Sequence, residues 1–420
     1  MKFKIVTLGC KVNTYESNVM RDLLINNNYV EDEDADIFIV NTCTVTNTSD
    51  NKSLKEIRRI RREYPNSIII VCGCMTQVRS DIDEIDADII IGNRNKTKII
   101  ELLDRFNKEK KKIIAINDIM VQPFEKMQLN NFNRTRAFVK IEDGCENFCS
   151  YCIIPYARGK VRSKQPSDVI EEVTTLVSNG HKEIVLTGIH TGHYGADLDD
   201  YSFANLLSEL VKIDGLERIR ISSIEMNELN SEVLEVIKNN PKIVSHLHIP
   251  IQSGSDEILK LMNRKYLKKE FMDKIDEIRS IRPDINITTD IIVGFPGETE
   301  ELFEETLDTV SKIRFSKIHV FPFSLRKGTK AEELPNHIDD VTKKRRVKKL
   351  MEVSNDLEIE YMDKYIGKDL VFIPEVYRDG NLIGHTGNYL LIKYKGNEDL
   401  LHQDVTVKGV KVEYPYLICE

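Results

Sequence analysis

Three cysteines, Cys145, Cys149 and Cys152, stand in a C-x3-C-x2-C arrangement directly after Gly144. Soft thiolates at this spacing favour zinc or an iron–sulfur cluster. A structural zinc site needs four closed ligands, and no fourth Cys or His lies nearby in the sequence. A cubane cluster held by three cysteines leaves one iron open. That iron can chelate the amino and carboxylate groups of S-adenosylmethionine (SAM) and pass an electron to its sulfonium. A 5′-deoxyadenosyl radical results. The hard chemistry then belongs to the cofactors, which the protein orients and shields from water. Tyr151 would place an aromatic face near the adenine. The competing reading is a zinc knuckle that borrows a distant fourth ligand.

Five other cysteines are present, Cys10, Cys43, Cys72, Cys74 and Cys419. In a long chain expected to be cytosolic, such cysteines suggest metal or redox chemistry before disulfides. Met1 to Gly9 lacks the pattern of a signal peptide, and the longest apolar runs are too short to span a bilayer. A cytoplasmic protein without a membrane segment is expected.

The 420 residues are 41% hydrophobic and 30% charged, with a net charge of −8 and no Trp. This length calls for two or three domains. The acidic balance excludes a surface that binds nucleic acid everywhere, though not a local basic path.

The cysteines are positioned by alternating strands and helices. Over residues 1–120, strands are expected at Lys2–Leu8, Asp36–Asn41, Ser67–Val71 and Asp88–Ile91, and helices at Tyr15–Asn27, Leu54–Tyr64 and Lys98–Phe106. This is a doubly wound α/β pattern with a parallel sheet. Ligands bind such sheets at the carboxyl ends of the strands, where Cys10, Cys43 and Cys74 fall. Cys72 shares a strand face with Cys74 if the strand continues. It is therefore a competing ligand, or else a small buried hydrophobe.

Residues 107–136 read as a polar linker. Six further βα units follow, with strands at Ala137–Glu142, Glu183–Gly188, Arg218–Ser223, His246–Pro250, Asn286–Val293 and Lys317–Pro322. They suggest a partial (β/α)6 barrel. A charged helix over Val341–Tyr365 closes this domain. The tail carries β-rich runs at Val371–Val376, Tyr389–Tyr394 and Val405–Tyr414, separated by Gly-Asn turns, and reads as a small all-β barrel.

Strand-end residues are candidates for SAM contacts. Gly188, Gln252, Ser253 and Gly294 could admit the cofactor, and Arg264 could pair with its carboxylate. The glycines could equally be turn residues, and Arg264 a surface arginine. Basic clusters stand at Lys52, Lys55, Arg59 and Arg62, over residues 343–349, and at Lys393, Lys395, Lys408 and Lys411. Each is ordinarily a solvated face; together they could trace a phosphate path.

Across nearly its full length the chain resembles the radical-SAM methylthiotransferase family. The resemblance rests on Leu8-Gly9-Cys10-Lys11-Val12-Asn13, Asn41-Thr42-Cys43-Thr44-Val45-Thr46, Cys72-Gly73-Cys74, Asp143 through Gly159, Ser222-Ser223-Ile224-Glu225, Gln252-Ser253-Gly254-Ser255-Asp256, Met262-Asn263-Arg264 and Gly294-Phe295-Pro296-Gly297-Glu298-Thr299. It implies a methylthiotransferase domain over 1–120, a radical-SAM domain over 134–356 and an RNA-binding TRAM barrel over 357–420. It also implies a second 4Fe–4S cluster on Cys10, Cys43 and Cys74, with Met75-Thr76 departing from the usual residues there.

The implied reaction uses two SAM and two 4Fe–4S clusters. One SAM methylates a sulfur on the first-domain cluster. The other yields a radical that takes hydrogen from C2 of a modified adenosine, which captures the methylthio group. A SAM methyl is electrophilic and cannot itself methylate an unactivated aromatic carbon, so two clusters make chemical sense.

The segment from Cys10 to Glu16 looks most like the branch acting on N6-threonylcarbamoyladenosine at position 37 of tRNA. The partners implied are the tRNA anticodon stem-loop and a reducing electron donor. Alternatives are the N6-isopentenyladenosine branch, which usually has Gln-Met-Asn after its first cysteine, and a branch modifying a ribosomal-protein aspartate. A different class is a non-catalytic iron–sulfur RNA-binding protein. The threonylcarbamoyl carboxylate calls for a pocket Arg or Lys, which the sequence does not identify.

Overall fold

A computed structural model describes residues 1–120, 123–132 and 134–420. The chain opens with β1 (Lys2–Thr7), α1 (Lys11–Asn26), β2 (Val30–Glu31), β3 (Ile37–Thr42), α2 (Asn47–Glu63), β4 (Ile68–Gly73), α3 (Cys74–Val78), β5 (Ile89–Ile91), α4 (Ile99–Glu109) and β6 (Ile113–Ala115). The strands form one parallel sheet in the order β2-β1-β3-β4-β5-β6. Every residue of β3 and β4 is buried, which is why these central strands read as unbroken apolar runs. Side chains alternate across the sheet. Ile37 and Ile39 pack towards α1 and α4, and Phe38 and Val40 towards α2.

The expected linker over 107–136 is corrected. The helix α4 continues to Glu109, and Ile113–Ala115 adds a sixth strand beside β5. With only three residues after a lysine-rich stretch, β6 is too short to show a period. Met127, Leu129 and Phe132 are buried in the core of the next domain, so this segment is packed rather than free. Residues 121, 122 and 133 of that linker lie outside the described residues.

The second series runs through β7 (Arg136–Lys140), β8 (Glu142–Asp143), α5 (Ile154–Arg158), β9 (Arg162–Ser163), α6 (Pro166–Ser178), β10 (Glu183–Thr187), α7 (Phe203–Leu210), β11 (Arg218–Ile221), α8 (Ser231–Asn239), β12 (His246–His248), α9 (Asp256–Leu261), α10 (Lys268–Ile281), β13 (Asn286–Val293), α11 (Glu300–Ile313) and β14 (Lys317–Pro322). Two parallel sheets, β7-β10-β11 and β12-β13-β14, are joined by single bridges Ile219–Ile243 and Ser223–His248. The six strands of these two sheets thus make a partial barrel. The helix α1 leans on it: Tyr15 and Val19 belong to the barrel core, and the Tyr15 hydroxyl donates to Glu172 Oε1 at 2.8 Å.

The helix α12 (Asp340–Asp363) packs against β14 and leads into a closed barrel of β15 (Asp369–Arg378), β16 (Asn381–Thr386), β17 (Leu391–Lys395), β18 (Val405–Glu413) and β19 (Tyr416–Cys419), ordered β15-β16-β17-β19-β18. The expected boundary at 356/357 falls inside α12. β16 and β19 were not legible as strands, because β16 carries only two aliphatic residues and a glycine and β19 has four residues.

Candidate active site

The barrel triad sits on the long loop between β8 and β9. Gly144 has φ +96°, and a Cβ there would stand 1.9 Å from the Lys160 carbonyl oxygen. That close approach lets the Cys145 amide donate to the Gly159 carbonyl at 3.0 Å. The loop is pinned further along, where the Ser150 amide donates to Met262 O at 3.0 Å and Asn263 Nδ2 donates to Phe148 O at 2.9 Å. Cys145, Cys149 and Cys152 are half-buried. Burial, followed by repulsion from Cys149, pushes the Cys152 thiol up to about 12; burial raises Cys145 as well. Cys145 and Cys152 are thus reluctant to ionise alone, and with Cys149 they form a soft donor set for a cation.

Their surroundings suit a charged cofactor. Arg264 is buried, not on the surface; its Nη1 lies 3.4 Å from Cys149 Sγ, and it also pairs with Glu225 and donates to Pro250 O. Tyr151 meets Phe295 edge-on at 6.4 Å beside the triad. His190 Nδ1 lies 3.8 Å from Cys145 Sγ, with Nε2 2.7 Å from Glu228 Oε1. A Cβ on Gly188 would fall 2.6 Å from Glu142 Oε2. That oxygen accepts the Ile189 and His190 amides at 2.9 and 2.7 Å, while the buried Oε1 has no partner among the described residues. Burial raises the Glu142 pKa well above the usual carboxylate range. An orphaned carboxyl oxygen close enough to Cys145 to act on its thiol fits a ligand that brings its own cationic group.

Other expected contacts are engaged within their own loops. Gln252 adopts φ +69° and continues the edge of β13, its amide donating to Asp290 O at 2.9 Å. Ser253 Oγ accepts the Ser255 amide at 3.2 Å. The Gly294 amide donates to Glu298 Oε2 at 2.9 Å, and a Cβ there would stand 2.4 Å from Lys343 Cγ.

The second group assembles at the carboxyl edge of the first sheet. Cys10 follows β1 and Cys43 follows β3, while Cys74 opens α3 after β4. Gly9, at φ +103°, leaves room for Cys43, whose Sγ would be 3.1 Å from a Cβ. Asn13 Nδ2 ties the two loops together, donating to Leu8 O at 2.7 Å and Thr42 O at 2.9 Å. Burial pushes Cys43 up to about 11, and it is further raised by Cys74 and Cys10. Cys72 is fully buried among the isoleucines of the sheet core. Gly73, at φ +109°, ends the strand, so Cys72 and Cys74 do not share a face. Cys419 is buried in the C-terminal barrel.

Between the two groups runs a buried ion network that sequence reasoning did not anticipate. Arg158, fully buried, donates from Nε to Cys74 Sγ at 3.3 Å, from Nη1 to Glu16 Oε1 at 2.5 Å and from Nη2 to Asn13 Oδ1 at 2.7 Å. Glu16 also accepts Lys96 at 2.7 Å and Lys140 at 2.8 Å, and Lys140 reaches Asp143 at 2.7 Å. Burial alone would raise the Glu16 pKa; the three cations overcome it and hold the carboxyl well below its usual range.

Comparison with known proteins decides the family. Residues 139–310 match the Radical SAM superfamily, and residues 2–92 match the Uncharacterized protein family UPF0004. The threonylcarbamoyladenosine tRNA methylthiotransferase MtaB of Bacillus subtilis is 44% identical, covering 98% of this chain and 94% of the relative. The chain belongs to the radical SAM tRNA methylthiotransferase family. MtaB of Thermotoga maritima is 40% identical over 98% and 95%. The tRNA-2-methylthio-N(6)-dimethylallyladenosine synthase of Thermoanaerobacter pseudethanolicus is 38% identical over 97% and 89%. Among solved structures, the radical SAM methyltransferase TsrM of Kitasatospora setae shares the fold at a TM-score of 0.56 and 13% identity, covering 76% and 72%.

This methylthiotransferase is therefore an enzyme, whose family cofactors are SAM and 4Fe–4S clusters, and the reading as a non-catalytic binding protein is set aside. Its barrel encloses a lumen of about 490 Å³. Cys10 and Lys11 contribute to the lumen from the first domain, Gly188, Arg220 and His246 from the barrel strands, and Tyr389 from the C-terminal barrel. A second hollow of about 570 Å³ shares Cys10, Lys11 and Tyr389 and carries Arg21, Arg134 and Arg136.

The basic clusters fare unequally. In this methylthiotransferase, Arg345 and Arg346 pair with Glu300, Arg346 is buried on Glu298 at 2.9 Å, and Lys349 pairs with Glu304. Arg346 thus fastens α12 to α11, whereas Lys344, Arg345 and Lys348 remain exposed. Arg59 is held by Glu56 and Glu63. Among the described residues no helix is long and apolar enough to cross a membrane.

Proposed function

We propose that this enzyme converts N6-threonylcarbamoyladenosine at position 37 of tRNA to its 2-methylthio derivative, using two SAM and two 4Fe–4S clusters in the cytoplasm. The observation that carries the reading is the shared lumen: Cys10 of the first-domain group lines the same cavity as Gly188, two residues before His190, whose Nδ1 lies 3.8 Å from Cys145 Sγ. A base inserted there would have access to both groups.

In this reading Cys145, Cys149 and Cys152 hold one cluster, and Cys10, Cys43 and Cys74 hold the other. When bound, the clusters and SAM supply an electron, a carbon radical and a methylated sulfur. The chain's own residues do the rest. Arg264 places a buried cation against Cys149, Tyr151 offers an aromatic wall, and Gly188 leaves space where any side chain would strike Glu142. Gln252, Ser253 and Gly294 shape the strand-end loops around SAM. The lumen walls exclude water from a radical that would otherwise be quenched. The domain limits proposed are 1–120, 134–356 and 357–420, the last taking in the end of α12, whose Met362 packs in the core of the C-terminal barrel.

The threonylcarbamoyl substrate is favoured by relatives of that name at 44% and 40% identity and by the Cys10–Glu16 segment. Mass spectrometry of tRNA nucleosides from a strain lacking the protein tests it. Loss of 2-methylthio-N6-threonylcarbamoyladenosine, restored by the intact gene and not by Cys149→Ala, is expected. An unchanged level of that nucleoside overturns the assignment.

A further inference from the structure

The lumen wall carries more cations than carboxylates. Lys11, Arg220 and Lys317 line it, against Asp290 as the carboxylate. Lys317 is satisfied by Glu358 at 3.0 Å, and Asp290 lies 3.3 Å from His248 Nε2. Arg136, behind Arg220, is paired with Glu375 at 2.9 Å. Among the described residues Lys11 is left without an ion pair, and Arg220, though paired, is incompletely hydrogen-bonded. Lys11 is exposed to both hollows and makes no ion pair among the described residues. Arg220 is 2% exposed, donates from Nε to Glu183 at 2.8 Å, and has no partner for Nη1 among the described residues. His246 beside them is held neutral: burial, then Arg220, His248 and Lys11, push its pKa well below the usual value.

A buried guanidinium N–H without an acceptor is costly, and so is a carboxylate brought into a cavity without a cation. Each solves the other's problem. Arg220 pairs in register with Val185, three residues before Gly188, and His246 opens β12, so both lie deeper in the barrel than Gly188, which stands just beyond the carboxyl end of β10. An adenine with C2 towards Gly188 would send its N6 substituent down the lumen towards Arg220.

We propose that Lys11 and Arg220 form the recognition site for the carboxylate of the threonylcarbamoyl group, with Tyr389 fixing the guanidinium from 4.8 Å above its ring. The assignment rests on the substrate reading above and deepens it. Lys11 is the accessible ammonium, and the free Nη1 of Arg220 adds a directed hydrogen bond. Because Tyr389 comes from the C-terminal barrel, specificity for the modified base requires all three domains.

The test is binding of an anticodon stem-loop bearing N6-threonylcarbamoyladenosine, against the same RNA with that carboxylate converted to a carboxamide. Fluorescence anisotropy on the cluster-loaded full chain gives both affinities. The wild type should prefer the acid by about tenfold to a hundredfold. Lys11→Gln and Arg220→Gln should each bring that ratio towards one by weakening the acid, and Lys11→Arg should retain it. Lys11→Gln, at a cavity-exposed position, keeps the test sound if Arg220→Gln fails to fold. A wild type that converts the acid yet binds acid and amide alike, or variants with an unchanged ratio, overturn the proposal while the substrate reading stands. A wild type that methylthiolates an isopentenyladenosine stem-loop and not the acid overturns both.

Discussion

Arg158 Nε donates to Cys74 Sγ across 3.3 Å, so the loop that carries the barrel triad also touches the first-domain cysteine group. The same guanidinium grips Glu16 at 2.5 Å. One buried side chain thus fixes the relative placement of the two groups between which the proposed reaction must run. Replacing Arg158 with Met should destabilise the chain by about 3–5 kcal/mol, because Glu16 loses a buried partner. Arg158→Lys keeps the charge and loses the forked geometry. In a Cys149→Ala background, potentiometric EPR of the remaining cluster should show Arg158→Met shifting the potential to more negative values, since a cation next to a ligand sulfur favours the reduced cluster. An unshifted potential would separate Arg158 from the Cys74 site.

Single cysteine changes should divide the chemistry. Cys149→Ala should lose about half of the bound iron and all reductive formation of 5′-deoxyadenosine. Cys10→Ala should lose about half of the iron too, keep 5′-deoxyadenosine formation and make no methylthiolated product. Cys72→Ala, which removes only a small core side chain, should retain full iron and cost about 1 kcal/mol of stability. Iron analysis and nucleoside chromatography read all three, and full methylthiolation by Cys10→Ala would refute the first-domain ligand set.

Two glycines with nearly the same φ should respond differently to alanine. Gly144 has φ +96° and would place a Cβ 1.9 Å from Lys160 O; Gly180 has φ +98° and nothing within 4 Å. Gly180→Ala should pay backbone strain alone, about 1–2 kcal/mol. Gly144→Ala must also displace the loop that presents Cys145, so it should lower iron at the barrel triad as well as the melting temperature. Equal losses at the two sites would contradict this account.

Acid should undock the first domain through Glu16. Its folded pKa lies well below the unfolded value, held there by Arg158, Lys140 and Lys96 against the cost of burial. The unfolded chain therefore binds the proton more readily. The stabilisation is fully present above the unfolded pKa of about 4.3 and is lost as pH falls through the folded pKa. Denaturant titration of the cluster-free chain should show stability falling below about pH 4.3, with Glu16→Gln less stable at neutral pH and flatter in acid. A variant that keeps the wild-type acid limb would place that titration elsewhere.

The sequence by itself determined the family motifs and most of the frame. Ligand spacing such as that from Cys145 to Cys152 is local, and long periodic segments such as Ser231–Asn239, Lys268–Ile281, Asn286–Val293 and Glu300–Ile313 fall where their apolar pattern places them. The meeting of Cys10, Cys43 and Cys74 was also foreseeable, because parallel strands deliver their carboxyl ends to one edge. Tertiary structure decided what depends on partners far apart in the chain. Cys72 is separated from Cys74 by a single backbone turn at Gly73, which breaks the strand periodicity that would have put them together. Within the basic run at 343–349, Arg346 becomes a buried fastener only because Glu298 and Glu300 meet it. Glu142, Arg158 and Arg220 carry no local signature. Their roles come from being buried beside specific thiols, carboxyls and rings, and burial is a property of the packed chain, set by distances that the order of residues does not contain.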